Sequence, residues 1–444
     1  MNPLIPHYKA TLSLGLPIAV GQLGFIIMGF ADTIMVGRYA TSSLAAAAFV
    51  NTLFNLVTFV IIGYSYGLTP LISAHCGRGE QRAAGSTLRQ AMVANGLFGA
   101  LLTAVMAVLF FFLDYMGQPA EIMPEVRSYY LVMLSSLIFL TAANMLRQFT
   151  DGTSDTATGM WVLLAGNLVN VVLNALLIYG IEPFPRLGLL GAGLATLLSR
   201  VFTVAGMVTV LFLRRRYRPF MRGWLASRIH WGAVRRVNAQ SLPVALQMAM
   251  ETGAFTFSGV MAGWFGAAQL AGYQVVMTIG SLGFLLYSSF GSGIGIRVAR
   301  YSGTADRTGV HLAATAGCHI LCAMAATASL VFWLFGSTLA ALFTPDTAVQ
   351  TVAIALIPML ILYQFADAMQ ICFAHALRGT GYVRPMVRVA FFSYLLLNIP
   401  CALLFGLGFG WGVQGIFLAL TLGLSTAAPL YYRYFRRAQR EGRL

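Results

Sequence analysis

Charged residues are scarce in this chain of 444 residues and make up only 9% of it. Asp and Glu together occupy 13 positions, whereas 58% of the residues are hydrophobic. A soluble globular domain carries about 25% charged residues. The scarcity therefore excludes an ordinary soluble fold and predicts an all-α, polytopic membrane protein.

Paired cysteines and catalytic metal motifs are also missing from the sequence. The five cysteines lie in apolar segments without paired spacing, so neither a disulfide framework nor a zinc site is predicted. An intramembrane hydrolase would need a nucleophile with a base or a motif such as H-E-x-x-H, and the sequence has none. We therefore expect a protein that is not an enzyme and that has no cofactor.

Twelve apolar segments are each long enough to cross a bilayer, which takes about 20 residues. Arginines fall mainly at the termini and in every second loop, which is typical of cytoplasmic loops. This distribution predicts that both termini lie in the cytoplasm, and the net charge of +15 then reflects membrane topology rather than a nucleic acid partner. We expect the protein in the cell inner (plasma) membrane. The spans are expected near 11-37, 44-74, 88-113, 127-149, 160-180, 188-213, 239-265, 270-296, 310-335, 350-377, 386-408 and 411-434.

The chain repeats itself at a spacing of about 226 residues, close to half its length. SLGLPIAVGQ matches AQSLPVALQM, and SAHCGRGEQR matches VARYSGTADR. Six spans repeated in the same orientation predict two pseudo-symmetric six-helix bundles, an arrangement known among secondary transporters. The expected parts are an N-terminal bundle (1-213), a basic cytoplasmic linker (214-238) that could contact anionic membrane lipid, and a C-terminal bundle (239-444).

Three carboxylates lie inside long apolar stretches, namely Asp32, Glu251 and Asp367. A charge within the bilayer is costly and marks a candidate functional site. At 1.5 Å per residue, Glu251 lies roughly 18 Å and Asp367 roughly 15 Å from the inner ends of their helices, so the two could share one site. Asp32 lies near the outer end of its span, at a depth close to Asn174 and Thr196. A second candidate site is therefore expected in the first half.

Four regions between about residues 10 and 435 carry a family resemblance: GLPI with MGFADTIMVGRY, GRGEQRAA, NLVNVVLN, and YQFADAMQICFAHALRGTGY. The chain thereby resembles the multidrug and toxic compound extrusion (MATE) transporters of the NorM-type branch. The resemblance implies twelve helices in two six-helix bundles around a central cleft. It also implies export of amphipathic, mostly cationic compounds in exchange for Na⁺ or H⁺, by a chain that we expect to be a monomer.

The resemblance further implies roles for individual residues. Glu251 and Asp367 look like the cation-coupling pair of the second bundle, where Na⁺ could bind, and Asp32 looks like the acid of the family's first helix. Some branches carry an aspartate in the fifth helix, where this chain offers only asparagines. The residues that match polar positions around the first-bundle acid are Asn170, Asn174 and Thr196.

The same residues also have structural interpretations. The acids could pair with polar neighbours and only fix helix packing, and Arg38 could be a partner of Asp32 near the helix end. Arg200, one turn beyond Thr196, would hold the Asp32 carboxylate ionised and displace a bound cation if it faced that acid. For the asparagines and the threonine, interhelical hydrogen bonding is an alternative to ligation.

Two questions of function stay open at the level of sequence. A buried carboxylate can be neutralised by a proton or by a hard cation with oxygen ligands, so the coupling ion could be H⁺ or Na⁺. A lipid-linked precursor flippase of the same broad superfamily is the alternative function, although its cleft should be basic rather than acidic. A channel is disfavoured, because a repeated chain with isolated deep acids suits alternating access better than a continuous pore.

Overall fold

Helices make up all the regular structure of residues 3–442, the part of the chain that the computed structural model describes. The all-α prediction is confirmed. Helices suit a chain in lipid because each satisfies its backbone hydrogen bonds within one segment. The α-helices are α1 (Ile5–Tyr39), α2 (Thr41–Tyr66), α3 (Leu68–Gly77), α4 (Gln81–Phe110), α5 (Met123–Gly152), α6 (Thr156–Tyr179), α7 (Leu189–Leu213), α8 (Arg218–Ala226), α9 (Trp231–Gly263), α10 (Ala267–Gly303), α11 (Arg307–Phe343), α12 (Thr347–Gly379), α13 (Arg384–Ala390), α14 (Ile399–Leu403) and α15 (Gly412–Arg440).

Eleven helical segments of the described chain are long and apolar enough to cross a membrane. α2 and α3 form one such segment, and α13 and α14 form another together with the π-helical stretches Phe391–Asn398 and Leu404–Gly408. α9 is 33 residues long but less apolar, because Gln247 and Glu251 lie near its middle. With α9, the chain has the twelve membrane helices that the sequence predicted.

Exposed apolar side chains follow one face of α4. Leu97, Leu101, Val105 and Val108 are 54%, 59%, 55% and 59% exposed, and their spacing of three or four residues places them on one side of a helix. On a membrane helix, such a face contacts lipid chains rather than a protein core. The stripe therefore supports the assignment of α4 as a membrane span.

Aspartates in the loops are the N-cap residues of three helices. Asp155 accepts a hydrogen bond from a backbone N–H in the first turn of α6, and Asp306 and Asp346 do the same for α11 and α12. A carboxylate at this position satisfies a backbone donor that the helix cannot pair itself. Capping thus accounts for several of the few acids that lie outside the apolar stretches.

The helices divide into two compact units, and the division lies inside α1 and α9. The N-terminal unit is Val20–Ala245, and the C-terminal unit combines Met1–Ala19 with Leu246–Leu444. In the C-terminal unit, the guanidinium of Arg297 donates to the backbone oxygen of His7 at 2.6 Å, which fastens the start of α1 to α10. The boundaries between the two packed units therefore lie inside α1 and α9. The sequence suggested boundaries at 213/214 and 238/239, on either side of the basic segment.

The basic segment 214-238 lies in the N-terminal unit and contains the short helix α8. This helix crosses α4 at two glycines, where no side chain would fit. A Cβ atom at Gly85 would lie 1.8 Å from the backbone oxygen of Phe220, and one at Gly223 would lie 2.1 Å from that of Arg82. The two backbones are therefore in direct contact at the crossing.

Arg89 on α4 holds the far end of α8. Backbone oxygens at the end of a helix have no partner within the helix and attract positive charge. The Arg89 guanidinium supplies donors to three of them in this region, at 3.2 Å to Trp224, 3.4 Å to Leu225 and 2.6 Å to Ser227. The linker is thus a docked element of the N-terminal unit.

Asp155 fastens the start of this segment to the turn between α5 and α6. Its Oδ2 accepts hydrogen bonds from the hydroxyls of Tyr217 and Thr158, each at 2.8 Å, and Arg216 lies 3.7 Å away. Burial raises the pKa of the Asp155 carboxyl, but the hydrogen bonds and the Arg216 charge outweigh burial and hold that pKa below its usual value. The segment is therefore attached through an ionised acceptor, which makes the hydrogen bonds stronger than neutral ones.

Candidate functional site

Glu251 and Asp367 lie together in the C-terminal unit, on α9 and α12. Gln247, one turn before Glu251 on α9, donates its amide to Glu251 Oε2. Gln370 on α12 lies 3.5 Å from Glu251 Oε1 and donates to the Tyr394 hydroxyl at 2.9 Å. The two carboxylates are close enough for their charges to act on each other. The structure therefore brings this predicted pair into one polar cluster.

Asp367 has no hydrogen-bond partner on either carboxylate oxygen, although its side chain is only 1% exposed. Buried carboxylates in proteins are normally hydrogen-bonded or paired with a cation, because an isolated buried charge is very costly. Asp367 can meet this requirement by binding a proton or by binding a cation through its free oxygens. Its geometry therefore suits the binding of a positively charged species.

Further polar side chains lie on α10, on α12 and in the π-helical stretch Phe391–Asn398 of the same unit. Gln364, one turn before Asp367, is fully buried and accepts a hydrogen bond from the Tyr287 hydroxyl at 2.8 Å. Tyr394 and Asn398 belong to the π-helical stretch Phe391–Asn398, and both are buried. Such π-helical turns occur frequently at functional sites. The cluster thus offers neutral oxygen atoms as well as the two carboxylates.

Asp32 lies in the N-terminal unit with the three polar residues predicted to surround it. The Asn174 amide donates to Asp32 Oδ1 and lies 3.1 Å from Asn170 Oδ1. The Asn170 amide in turn lies 3.5 Å from the Thr196 hydroxyl. Both asparagines are fully buried. A continuous chain of hydrogen bonds therefore joins α1, α6 and α7 at Asp32.

Small residues allow α6 and α7 to come close enough for these contacts. A Cβ atom at Gly191 would lie 2.5 Å from the backbone oxygen of Leu177, and one at Gly166 would lie 2.3 Å from the Thr203 hydroxyl. Glycines at helix interfaces permit such close approach in membranes. The glycines therefore set the distance across which Asn170 can meet Thr196.

The predicted partner Arg38 does not pair with Asp32, since among residues 3–442 no ion pair joins the two. Arg200 lies on α7, one turn beyond Thr196, and among residues 3–442 it forms no ion pair with Asp32 either. Its guanidinium donates to the Ser136 hydroxyl on α5 at 2.5 Å. Among the described residues, the N-terminal site therefore contains one of the three predicted acids, and the C-terminal site contains the other two.

The sequence argument missed three glutamines and a tyrosine of the C-terminal unit that lie on the same helices as the acids or contact them. A signal was available, because amide side chains inside apolar helices are costly in the same way as charges, if less so. Their partners depend on the rotation of each helix, which the apolar pattern does not determine. The residues missed are Gln247, Gln364, Gln370 and Tyr394.

Comparison with known proteins gives one family match and several long relatives. The model of the MatE family matches residues 17–176 and 243–404. The chain is 28% identical over 432 residues to the probable multidrug resistance protein NorM of Xanthomonas campestris pv. campestris, over 97% of this chain and 94% of that protein. It is 29% identical over 449 residues to the multidrug resistance protein PmpM of Pseudomonas aeruginosa, over 97% of this chain and 92% of that protein.

Solved structures share the fold over almost the whole chain. A eukaryotic MATE transporter superposes with a TM-score of 0.88 at 18% identity, over 99% of each chain. A MOP superfamily transporter from Pyrococcus furiosus, described by the reverse polarity of its binding pocket, gives a TM-score of 0.87 at 20% identity, over 99% of this chain and 97% of that one. At these identities the likeness shows the fold alone.

Proposed function

Because this chain belongs to the MatE family of membrane transporters, we propose that it is a secondary active multidrug efflux antiporter. It exports amphipathic, mostly cationic organic compounds in exchange for inward Na⁺ or H⁺, by alternating access. The names of its relatives NorM and PmpM support multidrug export. The single observation that carries the coupling proposal is Asp367, a buried carboxylate with two free oxygens beside Glu251.

In this proposal, the C-terminal site couples export to ion entry. A cation or proton bound at Asp367 and Glu251 neutralises buried charge and changes which conformation has the lower free energy. An organic cation favours the opposite conformation, so binding of one species promotes release of the other. One net charge moving down about 100 mV contributes about 2.3 kcal/mol. The membrane potential therefore drives export only when more positive charge enters than leaves in a cycle, whereas a one-for-one exchange of monovalent cations is driven by the concentration gradient of the entering ion.

The same proposal includes the surroundings of the protein. We infer a monomer in the plasma membrane, with both termini in the cytoplasm and lipid around its exposed apolar faces. The arginines of segment 214-238 are mostly exposed, which supports a cytoplasmic position for this segment. Asp32 supplies a second buried carboxylate, and its neutral neighbours Asn170, Asn174 and Thr196 provide oxygen atoms around it.

The test is efflux of a fluorescent organic cation from proteoliposomes, with a Na⁺ gradient or a pH gradient imposed separately. We expect one gradient to drive efflux by the native chain and Asp367→Asn to abolish that response. Asp346→Asn is the matched control, because it removes an exposed carboxylate from the same helix while Asn caps helices as well as Asp does. This control should transport at the native rate.

Two results would count against the proposal. If neither gradient moves the organic cation although the protein is folded, the antiporter function is wrong and lipid-linked precursor transport becomes the leading alternative. If Asp367→Asn still responds to the gradient as the native chain does, export stands but coupling through Asp367 does not.

A further inference from the structure

Helix α8 carries two exposed arginines on the side that faces away from α4. Phe220 and Gly223 are buried and meet α4 at the glycine crossing. Arg218, Arg222 and Leu225 are exposed, and their spacing of four and three residues places them together on the opposite side of the helix. We call these three residues the outer face of α8.

The two arginines of the outer face have no counter-ion within the described chain. Among residues 3–442, neither guanidinium lies within ion-pair distance of a carboxylate, and the same holds for the exposed Arg215 just before the helix. Segment 214-238 contains no Asp or Glu. Only Arg216 of this segment reaches an acid among the described residues, since it lies 3.7 Å from Asp155. The outer face therefore presents positive charge to an external anion.

Apolar neighbours place this face at the edge of the membrane. Trp224, next to Leu225 in the chain, packs edge-to-face against Phe212 with ring centroids 5.9 Å apart, and its indole nitrogen lies 3.2 Å from the sulfur of Met92. Phe212 and Met92 belong to the membrane helices α7 and α4 and are 48% and 41% exposed. Tryptophan is enriched where the hydrocarbon of a bilayer meets the headgroups. The end of α8 therefore lies at that level.

Leu225 distinguishes a lipid from a soluble anion as the partner of the outer face. Its side chain is 62% exposed, and a free phosphate or a soluble polyanion would contact the arginines and leave this leucine in water. At a bilayer surface, the leucine can enter the acyl region while the arginines stay beside the lipid phosphates. Basic and apolar side chains on one exposed surface are typical of segments that bind anionic lipid.

We propose that the outer face of α8, together with Arg215, binds the headgroup of an anionic phospholipid in the cytoplasmic leaflet. Arg218 and Arg222 donate to the phosphate, which suits the planar guanidinium, and Leu225 contacts the start of an acyl chain. This inference rests on the cytoplasmic position proposed for segment 214-238. It does not depend on the transported compound or on the coupling ion.

The experiment identifies the lipid that lies at the outer face. The full-length protein, with a photoreactive benzoylphenylalanine in place of Leu225, is reconstituted in vesicles of equal parts phosphatidylglycerol and phosphatidylcholine. After irradiation, the ratio of the two lipid adducts at position 225 is measured by mass spectrometry. A basic residue near an anionic surface contributes about 1 kcal/mol. Arg218→Gln with Arg222→Gln should therefore lower the ratio of phosphatidylglycerol to phosphatidylcholine adducts by about 30-fold, at 1.4 kcal/mol per factor of ten.

The matched control is Arg235→Gln with Arg236→Gln. It removes the same amount of charge from two exposed arginines of the same segment, at the start of α9, and should leave the adduct ratio unchanged. All four arginines are exposed, so both double variants should fold as the native chain does. Replacing sodium chloride by inorganic phosphate at equal ionic strength should also leave the ratio unchanged.

Four results would overturn the inference. The first is an adduct ratio that Arg218→Gln with Arg222→Gln does not change, and the second is an equal fall in both double variants, because net charge rather than the outer face would then attract the lipid. The third is the absence of lipid adducts at position 225, since the face would then point away from the bilayer. The fourth is displacement by inorganic phosphate, which would identify a site for a free anion. None of these measurements requires transport, so such a failure leaves the antiport proposal as it stands.

Discussion

The crossing of α4 and α8 yields a prediction that contrasts two glycines on one helix. In Gly85→Ala the new methyl group would lie 1.8 Å from the backbone oxygen of Phe220 and 2.7 Å from its carbonyl carbon. Non-bonded heavy atoms are most stable about 3.5 Å apart, so the backbone of α8 must withdraw by about 1.5 Å. We expect a loss of about 3 kcal/mol in unfolding free energy, because backbone rather than a flexible side chain has to move.

The matched control is Gly96→Ala, further along α4. No heavy atom lies within 4 Å of a Cβ atom at Gly96, and alanine inside a helix is more stable than glycine by about 0.5–1 kcal/mol. Thermal unfolding in detergent should therefore place Gly85→Ala below the native chain and Gly96→Ala at or slightly above it. Limited trypsin cleavage of segment 214-238 should also be faster in Gly85→Ala.

The reasoning fails if the two alanine variants unfold at the same temperature. It also fails if Gly85→Ala leaves trypsin cleavage of the segment unchanged, because α8 would then accommodate a methyl group without leaving its position. Either result would mean that the crossing is looser than its interatomic distances indicate.

Two other substitutions test the docking of the linker and the support of the C-terminal site. Tyr217→Phe removes a buried hydrogen bond to Asp155 and should cost about 1–3 kcal/mol at neutral pH. Folding lowers the pKa of Asp155, so the stabilisation from this hydrogen bond is present above the unfolded pKa of about 3.9. As the pH falls below that value, the native chain should lose its stability advantage over the variant. A difference in unfolding free energy that stays constant from pH 7 to pH 3 would contradict this. Gly283→Ala places a methyl group 2.3 Å from Oε1 of Gln364, so Gln364 must move and gradient-driven efflux should slow. Gly253→Ala is the control, because no heavy atom lies within 4 Å of its new methyl group, and it should leave the efflux rate unchanged. Equal efflux rates in the two variants would contradict a supporting role for Gln364.

Composition and periodicity were sufficient to predict the membrane helices. Low charge and long apolar stretches predicted twelve spans, and the twelve-helix fold is confirmed. Depth along the helices also grouped Asp32 with Asn174 and Thr196, which the structure joins through hydrogen bonds. The number of spans and the depth of a residue both depend on the number of residues along each helix, which the sequence gives directly. The transport roles of these residues stay predictions.

Rotation and close approach of the helices were not predictable in the same way. The Gln370 contact with Glu251 depends on how α12 is turned about its axis. The contact of Gly85 with Phe220 joins segments that are far apart in sequence. Neither Gly85 nor Gly223 lies in a sequence pattern that indicates a helix crossing. The division inside α1 and α9 follows from packing of the complete chain, to which the repeat gives no guide.

The modest hydropathy of α9 has a consequence for biosynthesis. A newly made helix leaves the translocon for lipid when its own sequence favours the bilayer, and a charged residue near its centre opposes this step by about 2.5–3.5 kcal/mol. α9 carries Glu251 and Gln247 in its apolar stretch, whereas the next helix, α10, is apolar enough to span the membrane alone. Insertion of α9 should therefore wait for a neighbouring helix to cover its polar face. The acid that we propose for ion coupling would then also delay the assembly of the second half during synthesis.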